Sequence, residues 1–137
     1  MRTKAAYKAL REHVGISHAH PGKVLGVSER AVKRWEDDRY SDPPQDAWDI
    51  LVELRERQLA MADYAIEAAQ KSGVEKVRLN YYRTQAQYDV AGRDEGDYRM
   101  ANANARVVAN ALEVMGFEVT YAYPDEPEYV DTPKNDA

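Results

Sequence analysis

Between Pro44 and Gly73 the chain carries neither glycine nor proline, and this uninterrupted run constrains its fold more than any other feature. Ala47, Leu51, Leu54, Met61, Ala65 and Ala68 fall near a heptad seam, and Trp48, Val52, Leu59 and Ile66 widen the apolar face. Such spacing specifies helix. Asp42-Pro43-Pro44-Gln45 marks its start, with Asp42 as N-cap, Pro43 at the first helical position and Gln45 as the capping-box partner. The pattern is long for one globular helix. Two readings stand: a break near Gln58, or a single helix leaving a first unit as a connecting arm.

Upstream, Ala6, Leu10 and Val14 recur at helical spacing, which predicts a helix from about Thr3 to Val14, ended by Gly15. Ser17 is one candidate start for the next helix. Pro21 favours a later one, with His20 as cap and a very short helix through Lys23, Val24 and Leu25. Gly26 then makes a turn, where a missing Cβ permits positive φ. Ser28 is a good N-cap for a helix to about Asp37. In that helix Ala31, Val32 and Trp35 share one side, while Glu29, Arg30, Lys33 and Arg34 point away. A helix held by its apolar face and carrying cations outward from a glycine turn suits a DNA major groove.

Downstream, the period changes from 3.6 to 2 after Ser72-Gly73. Val77, Leu79 and Tyr81 alternate with Lys76, Arg78 and Asn80, which predicts a half-buried strand. Thr84 caps a short helix to about Val90. A longer helix follows to Met115, with Tyr98, Ala101, Ala105, Val108, Leu112 and Met115 on one stripe, and Gly116 stops it. Phe117, Val119, Tyr121 and Tyr123 alternate as a second strand. From Pro124 the chain is acidic, proline-rich and poor in aliphatic residues, as a disordered tail is.

The 137 residues make one medium domain or two small ones. The net charge of −5 is unevenly spread. Residues 1–40 hold nine Lys and Arg against five acids, a net of +4, which leaves −9 for the rest. A basic front on an acidic back is the footprint of one nucleic-acid-binding module. The chain has no cysteine, which excludes disulfides and thiolate metal sites. No apolar run is long enough to span a membrane and no signal-peptide core follows the first residues, so a cytoplasmic protein is expected. His18 and His20 lack a third ligand, and the acids lack cation-loop spacing, so no metal or cofactor is expected. No nucleophile-base set or phosphate loop is legible, so neither is catalysis.

Ile16–Pro44, ISHAHPGKVLGVSERAVKRWEDDRYSDPP, resembles the Cro/cI-type helix-turn-helix of phage and bacterial repressors. The match covers Gly26-Val27-Ser28 of the turn, Val32 of the recognition helix and the Trp35-Glu36 pair. Arg11 also matches the arginine that the family carries at the end of its first helix. The resemblance implies a lambda-repressor-like helical bundle and an Arg11–Glu36 ion pair tying the first helix to the third. The chain departs from the family's pattern at Pro21 and Gly22, where Leu and Ala are usual. It departs also at His18, where Gln is common, and at Asp38, where a glycine usually takes the left-handed conformation. More loosely, the whole arrangement is similar to YdiL-like proteins and anti-CRISPR-associated autorepressors, which join this motif to a small C-terminal dimerisation domain.

The expected fold is mainly α with a small α+β part. Residues 1–58 form the helix-turn-helix domain, 59–73 a connecting helical arm, 74–123 a β-α-α-β dimerisation domain and 124–137 the tail. The expected function is a homodimeric repressor of transcription on an inverted repeat of double-stranded DNA, its own operator among the candidates. The alternative is an antitoxin-like protein or adaptor whose C-terminal half binds a protein partner. Arg30 is the first candidate to read a base, by bidentate bonds to guanine. Glu29 either accepts from cytosine or caps the helix dipole. Lys33 contacts a base or phosphate, and Arg34 contacts DNA or pairs with Glu12 or Asp38. Ser17, His18, Ser28, Arg39 and Tyr40 are the candidate phosphate contacts. Val77, Leu79, Tyr81, Tyr98, Val119 and Tyr121 are the candidate dimer interface.

Overall fold

A computed structural model describes residues 2–91 and 94–127. The elements run α1 (Lys4–Val14), α2 (Ala19–Leu25), α3 (Glu29–Trp35), α4 (Gln45–Ser72), β1 (Lys76–Asn80), α5 (Gln85–Val90), α6 (Tyr98–Val114) and β2 (Glu118–Ala122). The protein is thus mainly helical with a small two-stranded sheet.

Local signals set most helix ends. The Thr3 hydroxyl accepts from the Ala6 amide at 3.0 Å, and the Thr84 hydroxyl from Gln87 at 3.1 Å. Gly15, Gly26 and Gly73 close α1, α2 and α4 in the left-handed conformation. The second helix starts earlier than Pro21 suggested. It begins at Ala19, so Pro21 is its third residue, where the missing N–H is still an orphan of the first turn. Gly22 allows this helix to fold tightly, because a Cβ there would stand 2.8 Å from the Val27 carbonyl oxygen.

Two further starts and stops differ from the sequence reading. The cap of α4 is Pro44, with no side-chain hydrogen bond, and not Asp42. A proline pushes the residue before it out of the helical region, so Pro44 holds Pro43 extended and delays the helix to Gln45. The Gln45 amide instead donates to Asp49 at 2.7 Å. The third helix ends at Trp35, two residues early, and no described non-glycine residue, Asp38 included, has a positive φ.

The first core gathers Tyr7, Val14, Ile16, Val32, Trp35, Ala47, Trp48 and Leu51. Tyr7, fully buried, is its centre and meets Trp48 edge-on at 5.2 Å and Trp35 at 6.2 Å. Such pairs add about 0.5–1.5 kcal/mol each beyond their burial. The buried stripe of α1 is therefore Tyr7, Arg11 and Val14, while the expected Ala6 and Leu10 flank it half-buried.

The α4 helix is continuous over 28 residues and passes residues 58–59 without a break. Its buried line is Ala47, Leu51, Gln58, Ala62 and Ala69, with Leu54 and Ala65 half-buried. Heptad spacing holds through Gln58 and fails beyond it, where Ala62 is buried in place of Met61, since a straight helix drifts away from a 3.5-residue repeat. Met61 and Leu59 are accordingly 47 % exposed, and Ala68 is exposed too. The second core forms where Ala62 and Ala69 meet Val108 and Leu112 of α6.

The two strands pair in parallel, from Lys76 opposite Glu118 to Asn80 opposite Ala122. Val77, Leu79 and Val119 line the face that packs on the second core. On α6 the buried residues are Asn102, Ala103, Val108, Ala109 and Leu112, so the expected stripe is rotated and Met115 is exposed. The expected tail begins at Pro124. Residues 124–127 are held in place by Arg78, which donates to the Glu126 carbonyl at 2.6 Å, and by Arg83, paired with Asp125 at 3.0 Å. Residues 128–137 lie outside the described residues.

Candidate nucleic-acid interface

The third helix is built to display side chains from a fixed base. The Ser28 hydroxyl caps its start, accepting from the Ala31 amide at 3.1 Å. Val32 and Trp35 are buried in the first core. Its far end is held by charge. Arg11 Nε donates to Glu36 Oε2 at 2.6 Å and Nη2 to Oε1 at 3.1 Å, while Nη1 donates to the Ile16 carbonyl at 3.0 Å. Lys4 donates to the Trp35 carbonyl at 2.9 Å and the Ser41 carbonyl at 2.8 Å. Both partners of the Arg11–Glu36 pair are largely buried, so each needs the other.

Electrostatics at this anchor follow from burial. Burial raises the Glu36 carboxyl, but hydrogen bonds from Arg11 and His18 outweigh it and hold Glu36 below the usual carboxylate range. The Tyr7 phenol is pushed up to about 12, by desolvation first and by Glu36 second. Its hydroxyl has no hydrogen-bond partner among the described residues.

Glu29, Arg30, Lys33 and Arg34 are all exposed. They form two rows at i, i+4 spacing: Glu29 with Lys33, and Arg30 with Arg34. Lys33 and Glu29 stand 3.5 Å apart in an exposed pair, which is worth little and opens readily. Arg34 stacks on the Tyr40 ring at 4.8 Å and makes no ion pair with Glu12 or Asp38. Arg30 makes no hydrogen bond or ion pair with any described residue, so its guanidinium fork is uncommitted.

The candidate phosphate contacts divide. Ser28 is exposed beside the turn, with its hydroxyl on the helix cap. Ser17 and His18 are half-buried beside α2, and His18 Nε2 lies 3.2 Å from Glu36 Oε1. Arg39 is tied to Asp37, its Nη2 donating at 2.9 Å, and these bonds hold Asp37 down at about 2. Tyr40, 42 % exposed, lies between Arg34 and Arg39.

The six candidate interface residues also divide. Val77, Leu79 and Val119 are spent on the chain's own core. Tyr81 and Tyr121 meet edge-on at 5.5 Å, and Tyr121 is 42 % exposed. Tyr98 is half-buried, its amide donating to Gln85 at 3.0 Å.

Sequence reasoning missed the joint between the two halves. Gln58, buried in the apolar line of α4, donates to the His13 carbonyl at 3.0 Å. Arg55 Nη1 lies 2.5 Å from His13 Nε2. Gly15 abuts α6 so closely that a Cβ would stand 2.6 Å from the Arg99 carbonyl oxygen and 2.7 Å from Ala103 Cβ. A polar residue at a seam position was the one available signal.

No described helix is long and apolar enough to cross a membrane. Among the described residues, no three or more His, Asp or Glu side chains are gathered as a metal site. Compared with models of known protein families and with curated proteins, the chain matches none.

Proposed function

We propose that the chain is a sequence-specific DNA-binding repressor of transcription that reads an inverted repeat as a homodimer. The observation that carries this reading is the state of α3. Its apolar face is locked into the first core, and its far end is clamped by Arg11 and Lys4. Its outer face offers Arg30 uncommitted, with Lys33 and Arg34 in weak exposed contacts. In this reading α2 and α3 form a helix-turn-helix, with α3 in the major groove and Arg30 bidentate to a guanine. Ser17, His18 and Ser28 face the phosphates, as the start of α2 and the turn do in such docking. Repression follows from occupying a promoter. Dimerisation would use the sheet, whose two strands each keep an unpaired outer edge among the described residues. The Cro/cI resemblance of Ile16–Pro44 adds to this reading.

Selection of bound duplexes from a random pool tests it, and a palindrome is the expected product. Arg30→Ala should then lose about 1–3 kcal/mol of discrimination between the selected and a scrambled duplex, with an unchanged melting transition. Equal discrimination by wild type and Arg30→Ala would remove Arg30 from the reading role. No duplex selected at all would remove the function.

A further inference from the structure

A cleft of about 500 Å³ opens where the α1–α2 connection meets α6. Ser17 and His18 line one wall, and Arg99, Asn102 and Arg106 of α6 line the other, with Tyr81 between them. The α6 wall of this cleft is cationic, in a half of the chain that is otherwise acidic. Arg106 Nη1 donates to the Tyr81 hydroxyl at 2.5 Å and has no carboxylate within ion-pairing distance among the described residues. Arg99 is exposed, and its Nε lies 3.5 Å from Asp97, whose carboxylate already accepts from the Arg99 amide at 2.8 Å. Glu12 is the one acid on the rim.

The two walls are held in register. Gly15 presses on α6 at Arg99 and Ala103. Asn102 accepts from the Tyr82 amide and donates to the Tyr82 carbonyl, both at 2.9 Å, which fixes the segment bearing Tyr81. The cations of α6 therefore keep a set distance from Ser17 and His18. Arg99 and Arg106 lie seven residues apart on one helix, about 10 Å along its axis. Phosphates on one strand of a duplex repeat every ~3.4 Å of rise, so two such cations meet different phosphates.

We propose that this cleft is a phosphate-binding track that carries the DNA backbone past the start of α2 and onto α6, with Arg99 and Arg106 as its contacts. The inference rests on the DNA-binding reading above and extends the interface from the first half of the chain to the second. It takes no sequence information from the DNA, because phosphates are alike at every base pair.

The full-length chain, Arg99→Ala/Arg106→Ala, Arg99→Lys/Arg106→Lys and Arg30→Ala are titrated with the selected and a scrambled duplex over a series of potassium chloride concentrations. Each neutralised phosphate contributes about 0.9 to the slope of log affinity against log salt on B-form DNA. The alanine pair should weaken binding to both duplexes by the same factor and flatten the slope by about 1.8. The lysine pair should keep the slope, since lysine serves phosphate as a point charge. If the alanine pair fails to melt cooperatively, Arg99→Gln/Arg106→Gln, which also removes both charges but keeps more of the side chain, takes its place with the same expected loss of slope. Wild-type affinity and slope in the alanine pair, or a lost slope in the folded lysine pair, overturns the track. If Arg30→Ala still loses discrimination in that case, the DNA-binding reading survives without it. If the wild-type chain binds neither duplex, both fall.

Discussion

His13 and Glu36 couple the chain's stability to pH in the same direction. Burial, and then the charges of Arg55 and Arg106, hold the His13 imidazole below its ordinary value. Glu36 is held below its ordinary value as well, its hydrogen bonds from Arg11 and His18 overcoming the cost of burial. A group whose pKa is lower in the folded state contributes stability above its unfolded value and loses it as pH falls. For His13 that loss starts near 6.5, and for Glu36 near 4.5. The midpoint of urea unfolding should therefore drop in two limbs between pH 7 and pH 3. His13→Gln should flatten the upper limb, and Glu36→Gln the lower one. A single limb below pH 4.5 in the wild type would show that His13 carries no such penalty.

At the scale of the element, α4 is the test of how burial is assigned along a helix. Read by apolar residues alone, the pattern counts Leu59 on the buried face and passes over Gln58, a polar residue at a seam position. In the folded chain Gln58 is 1 % exposed and bonds the His13 carbonyl, while Leu59 is 47 % exposed. Gln58→Ala should cost about 2 kcal/mol, because it empties a buried volume and leaves the His13 carbonyl without its donor. Leu59→Ala should change stability by less than about 0.5 kcal/mol. Denaturant unfolding of the two variants decides, and the reverse order would mean that the apolar residues alone assign the buried face. The ends of α4 repeat the lesson. Gly73 closes it through its own left-handed φ of 70°, whereas Asp42 was a good cap by type and was displaced by the prolines after it.

For the whole molecule, Gly15 is the position on which the two halves meet. Its φ of 81° disfavours any side chain, and a Cβ would also collide with the Arg99 carbonyl and Ala103. Gly15→Ala should destabilise the chain by more than the conformational term alone, about 1–2 kcal/mol. The analogous Gly26→Ala meets nothing within 4 Å and should cost only that term. Melting temperatures of the two variants measure the difference. An equal loss in both would mean that α6 yields at no cost.

Much of the chain was legible in its residues because helix ends are local. A cap at Thr3, Ser28 or Thr84 answers amide groups within three residues, and a glycine at 15, 26, 73 or 116 answers for its own φ. Alternation of Val77 with Leu79 and of Val119 with Tyr121 likewise required strands whatever they pair with. The outward face of α3 was equally determined, since Val32 and Trp35 can serve only a core. What the residues left open was nearly every question of partner. Tyr7 took the centre of the first core because Trp35 and Trp48, far along the chain, both reach it. The Arg11–Glu36 pair is the exception, implied by the resemblance of the motif and present in the fold, where it lets Arg11 be buried. Val77, Leu79 and Val119 went to the chain's own core, and Arg99 and Arg106 came to stand across a cleft from Ser17 and His18, because α4 runs unbroken and α6 packs on Gly15. The run between Pro44 and Gly73 determined by itself that a long helix exists. Which of its faces is buried was decided by tertiary packing, because burial belongs to pairs of elements and no single stretch of sequence contains its partner.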